Sequence, residues 1–126
     1  MWVYEQSTGV LKLNDKLVSV GYSGLGKSKN NPSDEAIKNA GPIPCGVYSI
    51  TGPENVDHPG PHGPFVLRLT PAVHNQMFGR DGFLIHGDSV SNPGTASNGC
   101  IILARVVRER IVASKDRHLQ VIRGII

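Results

Sequence analysis

The sequence predicts a mainly β domain with one amphipathic helix near its C-terminal end. The chain carries 15 glycines and 9 prolines, which interrupt helices and mark turns. Short runs of β-branched and aromatic residues lie between these turns, as expected for strands. With 126 residues, 39% of them hydrophobic, the chain suits one modest core, and we predict a single domain over residues 1–126.

Paired strands are predicted at the start of the chain, over residues 2–4, 11–13 and 17–20. The turn-forming sequences Ser7-Thr8-Gly9 and Asn14-Asp15 separate these runs. Since short turns join consecutive strands, this part of the sequence predicts a β-meander.

The middle of the chain predicts a short helix followed by an extended turn. Residues 32–39 could form one or two helical turns, because Pro32 suits the first helical position and Gly41 suits an end. Pro42 and Pro44 then favour a rigid extended turn. Further strands are predicted over 47–50, 65–69 and 83–86.

The last quarter of the chain predicts a helix over about 103–114 and a final strand over 119–122. The apolar face of this helix comprises Leu103, Val106, Val107, Ile111 and Val112, and the opposite face comprises Arg105, Arg108, Glu109 and Arg110. We predict that the basic face is solvated, with partner docking as the alternative.

Charge and hydropathy limit the kinds of partner and the cellular location that we expect for this protein. The formal net charge of +3 suits an anionic polymer, whereas no recognised module supports nucleic-acid binding. The first ten residues lack the basic start and apolar stretch of a signal peptide, and no run approaches the roughly 18 apolar residues of a membrane span. We expect a protein made in the cytoplasm without a signal peptide and without a membrane span.

Cys100 and His86 are the strongest candidates for chemistry. His86 ends a predicted strand, and Cys100 directly precedes an apolar run, so the two side chains would meet if the loop over 87–99 folds back. Thiolate is the reactive form of cysteine, and an adjacent histidine can take its proton. The backbone N–H groups of Gly99 and Cys100, at the entry to the following element, could then stabilise an oxyanion.

We predict no catalytic role for Cys45 and no metal-binding role for a set of Asp and His side chains. Cys45 follows a proline in a rigid turn, so we predict a structural role for it, separate from that of Cys100. Asp57, His58, His62 and His74 raise the question of a metal site. Because Pro59-Gly60-Pro61 prevents the helix that usually aligns such histidines, we predict loop histidines, no metal and no cofactor.

The motifs around Cys100 resemble those of a known family. The pair His86-Gly87 followed by Ser97-Asn98-Gly99-Cys100 resembles the HG…SxGC signature of the L,D-transpeptidase catalytic domain. The resemblance to the small L,D-transpeptidase-like toxins delivered by type VI secretion is closer still. It is carried by Tyr22-Ser23-Gly24, Asn31-Pro32, Gly41-Pro42-Ile43-Pro44 with Gly46 and Tyr48, and Ile85-His86-Gly87-Asp88. The motifs span about residues 21–103 and imply an L,D-transpeptidase-like β-sandwich.

The resemblance also implies roles for individual residues. Cys100 would attack the carbonyl between an L- and a D-centre of a peptidoglycan stem peptide and form a thioester, with His86 activating it. The backbone carbonyl of Gly87 would orient His86, and Asp88 and Ser97 are side-chain candidates for the same task.

Substrate contacts are expected from four residues: Tyr22, Ser23, Asp88 and Asn98. For Tyr22 and Ser23 the alternative is that they only turn the chain, and Asn98 also suits a turn.

Two departures from the wider family concern substrate anchoring. Many L,D-transpeptidases have His where this chain has Asn98, and Arg where it has Ile102. The loss of that arginine removes a bidentate donor for a substrate carboxylate. Candidates to replace it are Lys27, Lys29, Arg68 and Arg80.

Taken together, the resemblance implies a cysteine L,D-transpeptidase or L,D-carboxypeptidase. The thioester would pass to an acceptor amine, which gives exchange or crosslinking, or to water. The implied setting is an antibacterial toxin that acts in the periplasm of a target bacterium, with a secretion apparatus and a cognate immunity protein as partners. A phage lysis enzyme of the same chemistry and a non-catalytic wall-binding module are the alternatives.

Overall fold

The computed structural model describes residues 1–56 and 60–124, and it confirms the mainly β prediction. Within these residues the chain forms nine strands, one α-helix and two 3-10 turns. The strands are β1 (Trp2–Glu5), β2 (Val10–Leu13), β3 (Lys16–Val20), β4 (Tyr22–Ser23), β5 (Gly46–Glu54), β6 (Val66–Pro71), β7 (Leu84–His86), β8 (Ile101–Ile102) and β9 (His118–Ile122). The helix is α1 (Arg105–Ser114), and the 3-10 turns cover Gly26–Ser28 and Pro32–Asp34.

The nine strands form one nearly closed sheet in the order β3-β2-β1-β9-β5-β6-β7-β8-β4. Its two edge strands, β3 and β4, follow each other in the chain with only Gly21 between them. The Gly21 N–H donates to the carbonyl of Gly9 at 2.8 Å. A Cβ atom at Gly21 would lie 2.0 Å from the carbonyl oxygen of Ile102, so glycine permits the close approach of the two ends.

The predicted β-meander forms at the start of the chain, but the pairing of its first strand with β9 was not predicted. Strand β1 pairs antiparallel with β2, and β2 pairs antiparallel with β3. Strand β1 also pairs in parallel with β9, with Trp2 opposite Leu119. This pairing joins the first and last strands of the chain, and it depends on contacts between residues more than 100 positions apart, which local patterns do not encode.

The core is one cluster of buried apolar side chains, drawn from seven of the strands and from α1. The largest of its fully buried members include Trp2, Tyr4, Tyr48, Ile50, Leu67, Ile85, Ile101 and Ile111. The alternation of buried and less buried residues in β1 and β9 shows that these strands present one face to the core. Each large apolar side chain buried here contributes about 1.5–3 kcal/mol.

The prediction for the helix is correct in position but wrong about two of its residues. Val106, assigned to the apolar face, is 69% exposed, whereas Arg108, assigned to the solvated face, is 4% exposed. Burial of Arg108 is tolerated because its guanidinium donates to the carbonyl oxygens of Leu103, Pro64 and Phe65 at 2.7–3.1 Å.

The short helix predicted over residues 32–39 forms only as the 3-10 turn Pro32–Asp34. The side chain of Asn31 caps this turn by accepting a hydrogen bond from the Ser33 N–H at 3.1 Å. In the part of the chain that the structure describes, no helix has the length and hydrophobicity needed to cross a membrane.

Truncation of a core leucine tests the assignment of the core. Leu67 is fully buried in β6, and we expect Leu67→Ala to lower the free energy of unfolding by about 2–5 kcal/mol. The matched control is Leu17→Ala, because Leu17 is 65% exposed and its removal should change stability by less than about 0.5 kcal/mol. Urea denaturation measures both values, and equal losses would contradict the assignment.

Candidate active site

The parallel pairing of β7 with β8 brings His86 and Cys100 to the same side of the sheet. Ile85 lies opposite Ile101, and His86 lies opposite Ile102. One residue earlier in this register, Cys100 lies opposite Leu84, so Cys100 and His86 are diagonal neighbours. Such neighbours lie about 7–8 Å apart between Cα atoms and side chains can bridge that distance. The loop over 87–99 therefore folds back as the sequence analysis required.

The imidazole of His86 is held by the next residue. Its Nδ1 lies 2.8 Å from the carbonyl oxygen of Gly87, to which it donates, and this leaves Nε2 as the proton acceptor. This is the contact that the family resemblance implied for Gly87. Burial lowers the pKa of His86 below its usual value, the hydrogen bond to Gly87 opposes this effect, and the charge of Arg108 acts in the same direction as burial. The imidazole is therefore neutral near pH 7.

Cys100 directly precedes the neighbouring strand β8, and its side chain is half-buried. Burial raises its pKa above the ordinary value of 9.0, and this outweighs the opposing effects of the Leu84 N–H group and the charge of Arg80. With a raised thiol pKa and a lowered imidazole pKa, the resting pair is a neutral thiol beside a neutral imidazole. Such a pair suits general-base activation at the moment of attack.

Two buried serines hold the backbone around Cys100. The Ser97 hydroxyl donates to the carbonyl of Cys100 at 2.6 Å and accepts from the N–H groups of Gly24 and Gly99. The Ser23 hydroxyl donates to the carbonyl of Gly99 at 2.7 Å. Both serines are fully buried.

These contacts correct three predictions. The Ser97 hydroxyl is engaged by backbone groups, so it positions the Cys100 loop and is not available to orient His86. Ser23 cannot contact substrate because it has no exposed surface. The N–H of Gly99 donates to Ser97 at 3.0 Å, so Cys100 remains as the predicted backbone donor for an oxyanion.

Tyr22 and Asp88 clamp the two ends of the loop between His86 and Cys100. The Tyr22 hydroxyl donates to a carboxylate oxygen of Asp88 at 2.6 Å and accepts from the Ala96 N–H at 3.0 Å. The same carboxylate accepts from the N–H groups of Ser89 and Gly94. Tyr22 and Asp88 therefore shape the loop rather than orient the imidazole, and Asp88 also lines the cavity beside His86.

Two cavities flank the pair. One, of about 590 Å³, is lined by His86, Asp88, Arg105 and Arg108 among others. The other, of about 220 Å³, is lined by Cys100, Asn98 and Arg80 among others. Asn98 is exposed at this second cavity, where a substrate could reach it. His86 thus lines one cavity and Cys100 the other.

His62 lines both cavities, a placement that the sequence analysis missed. Its ring centroid lies 4.7 Å from that of His86, with the rings tilted by 36°. In the sequence, His62 is one histidine in a loop rich in proline and glycine. No local pattern connects it with His86, so its position could not be predicted.

The predicted replacements for the missing arginine have other partners. Arg80 is 6% exposed and donates to backbone carbonyls, including Gly41 at 2.9 Å and Pro42 at 2.8 Å. Arg68 pairs with Glu54 at 2.9 Å.

Neither of the two lysine candidates lines the cavity beside His86 or the cavity beside Cys100. Lys29 lies over the ring of Tyr22, with its Nζ 4.5 Å from the ring centroid. Lys27 is exposed in the 3-10 turn Gly26–Ser28. The guanidinium groups that do line the cavity beside His86 are those of Arg105 and Arg108, on a helix whose basic face was predicted to be solvated.

A comparison with protein families shows the family to which the chain belongs. The Tlde1 domain family model matches residues 18–123, from β3 to just beyond β9. The chain belongs to the Tlde1 domain family. This is a family of type VI secretion L,D-transpeptidase effectors, and the match confirms the resemblance drawn from the motifs. No curated protein matches the chain.

The metal interpretation has no support in the described part of this Tlde1 domain. Among residues 1–56 and 60–124, no three His, Cys, Asp or Glu side chains are grouped so that they could hold a metal ion. Asp57 and His58, which belonged to that interpretation, lie outside the described residues.

The second cysteine lies elsewhere in the Tlde1 domain. Its thiol donates to the side-chain oxygen of Gln6 at 3.3 Å, and burial together with the charge of Glu35 raises the pKa of Cys45 to about 11. Both cysteines are free thiols.

The pH dependence of alkylation tests the neutral state of the pair. In a Cys45→Ser protein, we expect the rate of Cys100 alkylation by iodoacetamide to rise about tenfold between pH 7 and 8, because the thiolate fraction grows at that rate well below the thiol pKa. Intact-protein mass spectrometry measures the rate. A plateau reached below pH 8 would instead indicate a preformed thiolate–imidazolium ion pair and contradict this description.

Proposed function

We propose that this Tlde1 domain is a cysteine L,D-transpeptidase and L,D-carboxypeptidase that acts on peptidoglycan stem peptides. The observation that carries the proposal is the strand register that makes Cys100 a diagonal neighbour of an oriented His86, with each residue lining one of two cavities that share His62. A nucleophile and a base on one side of a sheet, with space on either side, suit acyl transfer from one peptide to another acceptor.

In the first step, Nε2 of His86 takes the thiol proton as the sulfur attacks the carbonyl carbon between the L- and D-centres. The resulting tetrahedral intermediate collapses and its C–N bond breaks. The imidazolium gives its proton to the departing amine, which leaves as a D-amino acid, and the acyl group remains on Cys100 as a thioester.

In the second step, an acceptor enters the space that the D-amino acid has left. His86 takes a proton from an acceptor amine or from water, the acceptor attacks the thioester carbon, and the C–S bond breaks. The proton on the imidazolium returns to the sulfur. An amine acceptor gives exchange or crosslinking, and water gives carboxypeptidase activity.

The negative charge on the tetrahedral oxygen requires stabilisation in both steps. The backbone N–H of Cys100 is the nearest candidate donor, since that of Gly99 is engaged. The buried guanidinium of Arg80 adds positive charge next to this loop, since its Nη2 lies 3.2 Å from the carbonyl oxygen of Asn98. Arg80 would act on the transition state through its charge and through the backbone that it fixes.

The biological setting follows from the family. A type VI effector with this chemistry would act in the periplasm of a target bacterium, where stem peptides are accessible, and would require a cognate immunity protein in the producing cell. The net charge of +3 favours approach to an anionic cell-wall polymer.

Incubation with purified sacculi tests the proposal. We expect wild-type protein to produce shortened or D-amino-acid-exchanged stem peptides, detected by mass analysis of muropeptides. Cys100→Ala should abolish the change, because no other thiol lies at the cleft among the described residues. His86→Ala should reduce the rate by at least about a hundredfold, the usual contribution of a general base.

The matched control is Cys45→Ala, which removes the other thiol and should retain wild-type activity. Binding of wild-type and Cys100→Ala protein to sacculi without any change in muropeptides would identify a non-catalytic wall-binding module and refute the enzymatic proposal.

A further inference from the structure

Arg108 is a buried cation without an ion-pair partner among the residues described. It is 4% exposed, and the ion pairs found in residues 1–56 and 60–124 do not include it. A buried charge is costly unless it is compensated, and neutral carbonyls supply only part of that compensation. An anion bound at Arg108 would supply the rest.

The free edge of the Arg108 guanidinium lies beside the catalytic histidine. Its Nε and Nη1 atoms donate to three backbone carbonyls, which fix the planar group in one orientation. Its Nη2 has no acceptor among the described residues, and a Cβ atom at Gly87 would lie 2.9 Å from it. Since Gly87 directly follows His86 and both line the larger cavity, this donor is available next to the imidazole.

Arg105 adds a second guanidinium to the same cavity. Its Nε lies 3.6 Å from a carboxylate oxygen of Glu109, and its guanidinium lies 5.1 Å from the ring centroid of Phe65. The pair with Glu109 is solvent-exposed and therefore weak, so Arg105 can turn toward an anion in the cavity.

Asp88, the acidic residue that lines this cavity, forms no ion pair with Arg108 among the described residues. Its carboxylate is held on the loop by hydrogen bonds from the Tyr22 hydroxyl and from the N–H groups of Ser89 and Gly94. The cavity therefore has two guanidinium groups on the side of α1 and an engaged carboxylate on the loop.

The chemistry at His86 determines which anion belongs here. His86 exchanges protons with the departing amine and with the incoming acceptor, so both must lie in the arm that His86 lines. A departing D-amino acid carries a carboxylate one carbon away from that amine. A donor beside Gly87, the residue that follows His86, lies in the same cavity as the histidine that would protonate the amine.

We propose that Arg108, assisted by Arg105, binds the α-carboxylate of the C-terminal D-amino acid of the donor peptide and of a free D-amino acid acceptor. This inference rests on the proposed function and names the group that the larger cavity recognises. It makes helix α1 the source of the carboxylate anchor, in place of the arginine that many L,D-transpeptidases carry two positions after the cysteine.

The test compares two donor peptides that differ only at the C-terminus. One ends in a free D-alanine after an L-centre, and the other ends in D-alaninamide. For wild-type protein we expect kcat/KM for release of the C-terminal residue to be about 10- to 100-fold higher with the free carboxylate, because one or two charge-assisted hydrogen bonds are lost with the amide. Release covers hydrolysis and exchange alike, since both require the same acylation step.

Substitutions of arginines in helix α1 identify the residues that cause the preference for the free carboxylate. Arg108→Gln should remove the preference for the carboxylate, and Arg105→Gln should reduce it. Arg110→Gln is the matched control, because Arg110 is an exposed arginine of the same helix that does not line the cavity. We expect it to retain the wild-type preference. If Arg108→Gln does not fold, as judged by circular dichroism, the wild-type ratio and the Arg105→Gln ratio decide the outcome.

Equal use of the two peptides by wild-type protein would overturn the inference and leave the proposed function standing. An unchanged preference in Arg105→Gln and in folded Arg108→Gln would do the same. Absence of Cys100-dependent release from either peptide would refute the proposed function and the inference with it.

Discussion

The parallel pairing of β7 with β8 is the constraint on which the site depends. Both strands are short and fully buried, so their register is fixed by packing on both faces. A shift by one residue would turn Cys100 to the opposite face of the sheet from His86. The connection between the strands is held by Asp88 at one end and Ser97 at the other. These two side chains hold the connection through hydrogen bonds to its backbone.

Burial sets the electrostatics of the pair. It raises the pKa of Cys100 and lowers that of His86, so both groups are neutral until a substrate arrives. Positive charge near these residues lies on Arg80 and Arg108, which are buried and line different cavities. In the proposed reaction, negative charge that develops on sulfur or oxygen would meet cations that are already fixed in position.

Local patterns in the sequence predicted the strands and the helix. The features that the sequence did not predict depend on contacts between residues that are far apart in the chain. His86 and Cys100 could be identified as candidates from the sequence because a strand end and a turn of small residues are local features. The burial of Arg108 could not be predicted, because two of its acceptors belong to residues 64 and 65, more than forty positions away. The structural roles of Ser23 and Ser97 likewise depend on partners that the fold alone brings near. Helical periodicity could not distinguish an arginine that satisfies backbone carbonyls from one that faces solvent.

Acid-quenched mass spectrometry of the protein with a donor peptide tests whether His86 activates Cys100 to form a thioester. We expect a mass increase equal to the peptide acyl group, located on the fragment that contains Cys100, and a much slower increase in His86→Ala protein. Release of the C-terminal D-amino acid without such an adduct, or equally fast adduct formation in His86→Ala, would contradict it.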